Sequence, residues 1–292
     1  MPDWRRVPCT SVSAGTTDVS VLTPPACLVS AATIARFHRD GFAVLEQVTT
    51  AADLEQISRI MVPLYRRYQA LERSRLAYDL GPGGDRARPE ILEINQTIAL
   101  EPALETTLTF SRCRALAEAL LGQPVEYRFD HAIYKPPFNG RATAWHQDEA
   151  YNRRAAAWHQ DEAYTPDPRL VSVHFWVPIQ DVTVEMGCMQ FIPGSHRERL
   201  RAHHQLQHLR HAHALEADEV DAARAVACPL RLGDITVHFS RTLHYAGPNL
   251  TAIPRLAWSL EYGPRRPLPF RLVAKARLIW REAIRAGRSR SD

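Results

Sequence analysis

Cysteine is scarce in this sequence and is not arranged for pairing. The 292 residues contain five cysteines, and no two of them are separated by only two residues. This pattern disfavours a disulfide framework and a zinc site built from thiolates, because both need clustered or paired cysteines. It is typical of a protein from a reducing compartment, and we expect a cytoplasmic location.

Long apolar runs and a strong excess of one charge are also missing. No stretch reaches the roughly 18 apolar residues of a transmembrane helix, and the first twenty residues lack the hydrophobic segment of a secretory signal. Lys and Arg number 36 against 32 Asp and Glu. That excess is too small and too scattered to favour nucleic acid. We therefore expect a soluble globular protein whose partners include neither a membrane nor nucleic acid.

The chain changes character near Gly122. Before it, Ser30 and Gly41 are cap signals that bound a first helix, and apolar residues recur at spacings of three and four within residues 51–76. After it, short runs rich in β-branched and aromatic residues alternate with turn clusters, which predicts many short strands. Helices followed by strands argue against a doubly wound parallel sheet. We predict a mainly β fold with flanking helices around a jelly-roll core.

The predicted organisation is a single domain behind a loose arm. Residues 1–28 are rich in Ser, Thr and Pro and are interpreted as a flexible N-terminal arm. The domain then has three consecutive parts: a mostly helical flank, the jelly-roll core and a basic C-terminal helix, at residues 29–122, 123–263 and 264–292. A polar, helix-prone insertion at residues 197–224 interrupts the strands of the core.

A tandem duplication falls on a segment that carries chemistry. The sequence RATAWHQDEAY at residues 141–151 returns as RAAAWHQDEAY at residues 154–164, with one difference. Both copies contain His-Gln-Asp. On an extended strand the His and Asp of this motif point to the same face, so each copy offers an imidazole and a carboxylate to one metal ion.

Further ligand candidates follow downstream. His244 lies on a predicted strand before a Gly-Pro-Asn turn, and Arg255 opens the next strand. Two histidines and one carboxylate on one face of a β-scaffold are the triad that holds Fe(II) and leaves coordination positions open. Arg255 is suited to bind a carboxylate through two parallel hydrogen bonds.

These motifs together resemble a known family. The segments IYKPPFNGRATAWHQDEAY, FWVPIQDVTVEMGCMQFIPGSH and GDITVHFSRTLHYAGPN, followed by PRLAWSLEY, are similar to the phytanoyl-CoA dioxygenase family. Its members are Fe(II)- and 2-oxoglutarate-dependent oxygenases with a double-stranded β-helix (jelly-roll, cupin-like) core. The resemblance covers about residues 30–263, although the helical part matches only loosely.

The resemblance implies roles for individual residues. One His-x-Asp pair and His244 would bind Fe(II), and Arg255 would pair with the C5 carboxylate of 2-oxoglutarate. Lys135 and Trp176 match family positions beside this co-substrate. With O₂, such a protein would hydroxylate a C–H bond of a small organic substrate, as in natural-product tailoring, and release succinate and CO₂.

The duplication leaves two assignments for the strand that binds iron. The first copy has family-like spacing to the upstream Lys-Pro-Pro, and the second has family-like spacing to Trp176. Because long insertions cost little loop-closure entropy and family members vary in length before this motif, we assign His159 and Asp161. The alternative is His146 and Asp148.

Two other functions remain open from the sequence. The same ligand set suits a zinc-dependent hydrolase, although HExxH is absent. A jelly-roll protein that binds a ligand without turnover is the other alternative, since the duplication could disturb the site.

Overall fold

The computed structural model describes residues 29–80, 90–148, 172–205 and 215–265. The predicted N-terminal arm, the C-terminal helix and the second His-x-Asp copy lie outside these residues. Within the described residues, no helix is long and apolar enough to cross a membrane.

The α-helices lie early in the chain, as the spacing of apolar residues predicts. They are α1 (Ala31–Asp40), α2 (Ala51–Arg66), α3 (Tyr68–Arg73), α4 (Thr97–Leu100) and α5 (Leu108–Leu121). The predicted caps of α1 are confirmed: the side chain of Ser30 accepts a hydrogen bond from the Thr33 N–H, and Gly41 ends the helix with φ of 88°. A positive φ at this position favours glycine. Helix α2 stops short of the predicted residue 76, and Pro63 removes one donor from its later turns.

Thirteen strands make up the rest of the described fold, and each pair is antiparallel. They are β1 (Phe42–Leu45), β2 (Ala77–Asp79), β3 (Leu92–Asn95), β4 (Val125–Lys135), β5 (Thr143–His146), β6 (Val173–Pro178), β7 (Met189–Phe191), β8 (His203–Gln205), β9 (Leu215–Ala217), β10 (Val226–Cys228), β11 (Ile235–Phe239), β12 (His244–Ala246) and β13 (Arg255–Pro264).

Two packed sheets form the core. The larger has seven strands in the order β1-β11-β6-β13-β4-β3-β2, and the smaller has four in the order β10-β7-β12-β5. A cluster of buried side chains from both sheets, including Trp176 and Phe191, lies between them. Strands β1, β2 and β3 come from the segment predicted as mostly helical, and they extend the large sheet at both edges.

The two faces of the large sheet have different chemistry. Residues paired directly across neighbouring strands project to the same face. Trp176 of β6 pairs with Ser259 of β13, which pairs with His131 of β4, and this polar row faces the small sheet. The next row, Phe175 and Leu260, projects to the opposite face and joins the larger hydrophobic core with the helices.

The insertion contains no α-helix where the structure describes it. Strands β8 and β9 pair across it, with His203 opposite Ala217, and a single turn of 3₁₀ helix follows at Ala222–Arg224. The predicted helix-prone character is therefore wrong at these positions, because pairing between the ends of the insertion overrides local propensity. Residues 206–214 lie outside the described residues.

A buried carboxylate ties two helices together. Asp53 of α2 accepts hydrogen bonds from the backbone N–H groups of Leu108 and Thr109, each at 2.8 Å, at the first turn of α5. It also accepts bonds from the hydroxyls of Thr109 at 2.6 Å and Thr49 at 2.9 Å. One side chain thus satisfies donors at the N-terminus of α5 that have no partner within the helix.

Asp53→Ala should therefore destabilise the protein markedly. The substitution leaves several buried donors without an acceptor, at a cost of about 2–4 kcal/mol in the free energy of unfolding. Chemical denaturation monitored by circular dichroism measures the change. Glu55→Ala is the matched control, since Glu55 makes an exposed ion pair with Arg59 and should cost less than about 0.5 kcal/mol. Equal effects of the two substitutions would contradict the structural role of Asp53.

Candidate active site

Three potential metal ligands meet where the two sheets face each other. His146 ends β5, Asp148 follows two residues later, and His244 begins β12. His146 and His244 are paired across the two strands, and their ring centroids lie 4.0 Å apart. One ligand atom from each of the three residues lies within 4.8 Å of the others. Two imidazoles and a carboxylate are thereby brought to one point.

The two imidazoles are oriented by the backbone. His146 Nδ1 lies 2.8 Å from the carbonyl oxygen of Ala144, and His244 Nδ1 lies 2.9 Å from that of Thr242. Because a carbonyl only accepts, each Nδ1 carries the proton and donates it. The Nε2 atoms then face Asp148 Oδ1, at 3.6 Å from His146 and 3.7 Å from His244. A backbone bond that fixes the tautomer in this way is typical of metal-binding histidines.

Burial keeps these imidazoles neutral. It lowers the pKa of His146 to about 3, with repulsion from His244 as the next cause. It also lowers the pKa of His244 to about 4, although the Asp148 carboxylate opposes this change. A metal ion binds the neutral imidazole, so both histidines are in the ligating form at neutral pH.

Asp148 is held by a second pair of histidines. Its Oδ2 atom lies 3.2 Å from His238 Nε2 and 3.4 Å from His174 Nδ1. Burial favours the neutral carboxyl, but the nearby imidazoles, His174 first, outweigh it and hold the pKa of Asp148 well below its usual range. The carboxylate is therefore charged, with Oδ1 turned to the proposed ligands and Oδ2 fixed by the large sheet.

Sequence reasoning missed His174. The signal was present in the sequence VHFWV, where His174 and Trp176 are two residues apart on one strand and so share a face.

His159 and Asp161 lie outside the described residues, so their assignment as ligands stays a prediction. The strand beside β12 is formed by the first copy of the motif, Thr143–His146. The link from β4 into this strand is anchored by Asn249, whose side-chain amide donates to the carbonyl oxygens of Pro136 at 3.0 Å and Ile253 at 2.8 Å.

Arg255 and Lys135 form a buried cationic pair next to this centre. They are paired across β13 and β4 and are 1% and 0% exposed. Arg255 donates to the Gly187 carbonyl at 2.7 Å, and Lys135 Nζ donates to the carbonyls of Ala246 at 3.0 Å and Gly247 at 2.8 Å. Neither side chain contacts a carboxylate within the described residues, and Arg255 Nε has no partner there. Two buried cations with spare donors suit an anionic ligand.

Trp176 completes the wall around Arg255. The guanidinium carbon lies 5.3 Å from the centroid of the Trp176 ring, a cation–π contact. Burial lowers the pKa of Arg255 to about 10, so it stays charged at neutral pH. Burial, and then repulsion from Arg255, lowers the pKa of Lys135 well below its usual value. All three residues expected beside the co-substrate therefore lie together.

The residues present fit iron and 2-oxoglutarate. The triad offers the mixed nitrogen and oxygen donors that non-haem Fe(II) takes, and the buried guanidinium offers a site for a carboxylate. A profile of the phytanoyl-CoA dioxygenase (PhyH) family matches residues 37–257. The chain belongs to the phytanoyl-CoA dioxygenase family.

Relatives of this phytanoyl-CoA dioxygenase family member include a named dioxygenase and a solved structure complexed with 2-oxoglutarate. Ectoine dioxygenase from Sphingopyxis alaskensis is 27% identical over 247 residues, which cover 80% of this chain and 76% of the relative. The crystal structure of EvdO2 from Micromonospora carbonacea var. aurantiaca, complexed with 2-oxoglutarate, is 32% identical with a TM-score of 0.63, and the match covers 81% of this chain and 91% of that one.

A further solved structure is SnoN, a non-haem α-ketoglutarate-dependent epimerase from nogalamycin biosynthesis. It is 26% identical with a TM-score of 0.57, over 82% of this chain and 84% of that one. The jelly-roll core and the dependence on iron and 2-oxoglutarate are thus confirmed, and the chain is an oxygenase of this class. The zinc-hydrolase alternative and the inactive alternative are not favoured.

Arg255→Ala should raise the 2-oxoglutarate concentration needed for turnover about thirtyfold or more. The loss of one partner in a desolvated charge pair costs about 2–5 kcal/mol. Succinate release against 2-oxoglutarate concentration gives this value, while iron content should largely survive. Arg39→Ala is the control, because Arg39 makes an exposed ion pair with Asp40. An unchanged 2-oxoglutarate requirement would remove Arg255 from the co-substrate site.

His238→Ala should weaken Fe(II) binding about tenfold to hundredfold, as is usual when a group that orients a metal ligand is lost. Its Nε2 atom would no longer restrain Asp148 Oδ2, so the carboxylate could turn away from the histidines. Anaerobic Fe(II) titration measures the affinity. His204→Ala, an exposed substitution on β8, should leave it unchanged. Equal Fe(II) affinities for wild type and His238→Ala would show that Asp148 does not need this restraint.

Proposed function

We propose that His146, Asp148 and His244 hold Fe(II), that Arg255 binds the C5 carboxylate of 2-oxoglutarate, and that the chain hydroxylates a C–H bond of a small organic substrate. The observation that carries this proposal is the convergence of the triad within 4.8 Å beside a buried guanidinium without a carboxylate partner in the described part of the chain. When bound, Fe(II) with O₂ couples decarboxylation of 2-oxoglutarate, to succinate and CO₂, to oxidation of the substrate.

The protein's own contribution is to present ligands in the right protonation state. The backbone bonds of His146 and His244 keep Nε2 turned towards Asp148. His174 and His238 keep that carboxylate ionised and oriented. Since this arrangement exists in the folded protein, little reorganisation is needed when the metal binds.

The proposed co-substrate site combines the positive charge of Arg255 with the flat wall of the Trp176 ring. Arg255 supplies spare guanidinium donors, and Trp176 holds the group in place from one side. Lys135 adds positive charge, and its ammonium is bound to the carbonyls of Ala246 and Gly247. We assign it a positioning role for the chain after His244, in addition to its electrostatic effect on the anion.

The choice of the first copy of the motif rests on its upstream connection. Residues 136–142 link β4 directly to β5, and Asn249 anchors this link from the turn after β12. If the second copy formed this strand, the whole first copy would have to fit into the anchored link. On this argument we propose the alternative, His146 and Asp148, over His159 and Asp161, which were preferred from the sequence because an insertion before the motif costs little loop-closure entropy.

The substrate class follows from the relatives by analogy. SnoN acts in nogalamycin biosynthesis, and ectoine dioxygenase is named for ectoine. We infer that this chain also tailors a small organic molecule. Zinc in the purified protein without succinate production would instead support a hydrolase.

His146→Ala should abolish Fe(II) binding, whereas His159→Ala should leave it nearly intact. The substitutions are matched, because the two histidines stand in near-identical segments and only one segment can occupy the strand beside β12. The charge-transfer band that forms when Fe(II) and 2-oxoglutarate are added anaerobically reports the complex. The opposite result would move the site to His159 and Asp161. Equal partial losses would show that both copies exchange in this strand.

A further inference from the structure

A second acidic group shares the inner face of the large sheet with the site. Glu93 lies on β3, paired with Ile133 of β4, and Ile133 is two residues from Lys135 on the same strand. Because side chains alternate along a strand, Glu93, Ile133 and Lys135 point to one side. The Asp148 carboxylate is close enough to contribute to the electrostatics of Glu93. The Glu93 carboxylate therefore lies on the same face of the large sheet as Lys135 and Arg255.

The surroundings of Glu93 differ from those of a carboxylate buried for stability. Asp130, on the outer side of β4, is 1% exposed and accepts bonds from Trp258 Nε1 at 3.1 Å and from the hydroxyls of Thr97 and Tyr127. Glu93 is 7% exposed, yet within the described residues its carboxylate makes one ion-pair or hydrogen-bond contact, with His131 Nδ1 at 3.3 Å. A buried carboxylate needs several donors, so Glu93 retains capacity to accept more.

A second acceptor beside Glu93 is also without a partner. Asn95 lies two residues along β3 and is paired with His131, so it shares the inner face. Its Oδ1 atom is buried and has no hydrogen-bond partner within the described residues. Two acceptors side by side, both short of donors, favour a ligand that brings N–H or O–H groups.

We propose that Glu93 and Asn95 determine the specificity for the oxidised substrate, by accepting hydrogen bonds from a hydroxyl or ammonium group that the substrate carries. This inference rests on the proposed function and adds the chemical class of its substrate. Glu93 lies on β3, and β4 separates β3 from β13, which carries Arg255. The proposed substrate-binding pair, Glu93 and Asn95, is therefore separate from the co-substrate site. Glu93 and Asn95 would recognise such a substrate by its hydrogen-bond donors. The distance between those donors and a given C–H bond within the substrate would then decide which carbon lies at the metal.

Three probes that share a cyclohexane ring distinguish a hydroxyl donor, a cationic donor and a group that only accepts hydrogen bonds. Cyclohexanol offers a hydroxyl donor, cyclohexylamine offers a cationic donor, and cyclohexyl methyl ether offers an acceptor alone. Paramagnetic broadening of their proton signals in NMR spectra of the anaerobic protein, loaded with Fe(II) and 2-oxoglutarate, reports binding close to the metal. At a pH about one unit or more above the pKa of the Glu93 carboxyl, which burial raises to about 7, at least one donor probe should bind about tenfold or more tightly than the ether, since a hydrogen bond to a charged group contributes about that factor.

Glu93→Gln should weaken the binding of the preferred donor probe about tenfold, so that the probe no longer binds more tightly than the ether. A larger loss for cyclohexylamine identifies a cationic substrate, and a larger loss for cyclohexanol identifies a hydroxylated one. Glu118→Gln, an exposed change on α5, should have no effect. If Glu93→Gln does not fold, as judged by its melting temperature, Asn95→Leu tests the same anchor and should also reduce the preference.

Equal binding of all three probes by the wild type, or an unchanged preference in the variants, would overturn the inference. Failure of the proposed function has a different signature. In that case the wild type would form no charge-transfer band with Fe(II) and 2-oxoglutarate, whatever its response to the probes.

Discussion

The register of β13 between β4 and β6 is the constraint on which the site depends. This strand pairs with both neighbours over most of its length, and the pairing directs Arg255 and Ser259 to the inner face. A slip by one residue would turn every side chain of the strand to the other face. Trp258 and Leu260 would then leave the hydrophobic core, so apolar burial on the outer face stabilises the alignment of the polar residues on the inner face.

The metal centre needs both sheets at once. His146 and His244 come from the small sheet, whereas the residues that hold Asp148, His174 and His238, come from the large one. Asp148 is the point where the two meet, with one oxygen turned to each pair. Packing between the sheets therefore sets the geometry of the proposed ligands, which come from two distant segments of the chain.

The fold class and much of the site could be predicted from the sequence. Cap residues such as Ser30 and Gly41 act locally. Strands are likewise predicted from short runs of β-branched and aromatic residues between turn residues. His244, Arg255 and Trp176 stood in motifs whose spacing is characteristic. What depended on contacts between distant segments was harder to foresee. Pairing made strands of an insertion with helix-prone composition, and the polar environment of Glu93 exists only because β3 lies beside β4. The two near-identical His-x-Asp copies differ only in their flanks, so residue chemistry could not choose between them.

In the proposed site, 2-oxoglutarate supplies the negative charge that Arg255 and Lys135 lack among the described residues. Arg255 and Lys135 lie opposite each other on adjacent strands, where like charges repel, and the described part of the chain supplies no carboxylate to balance them. A dianionic ligand relieves this repulsion in the folded state and has no comparable site in the unfolded chain, so it stabilises the fold by mass action. On the proposed assignment, the protein's resistance to unfolding rises with the concentration of the same co-substrate that its reaction consumes.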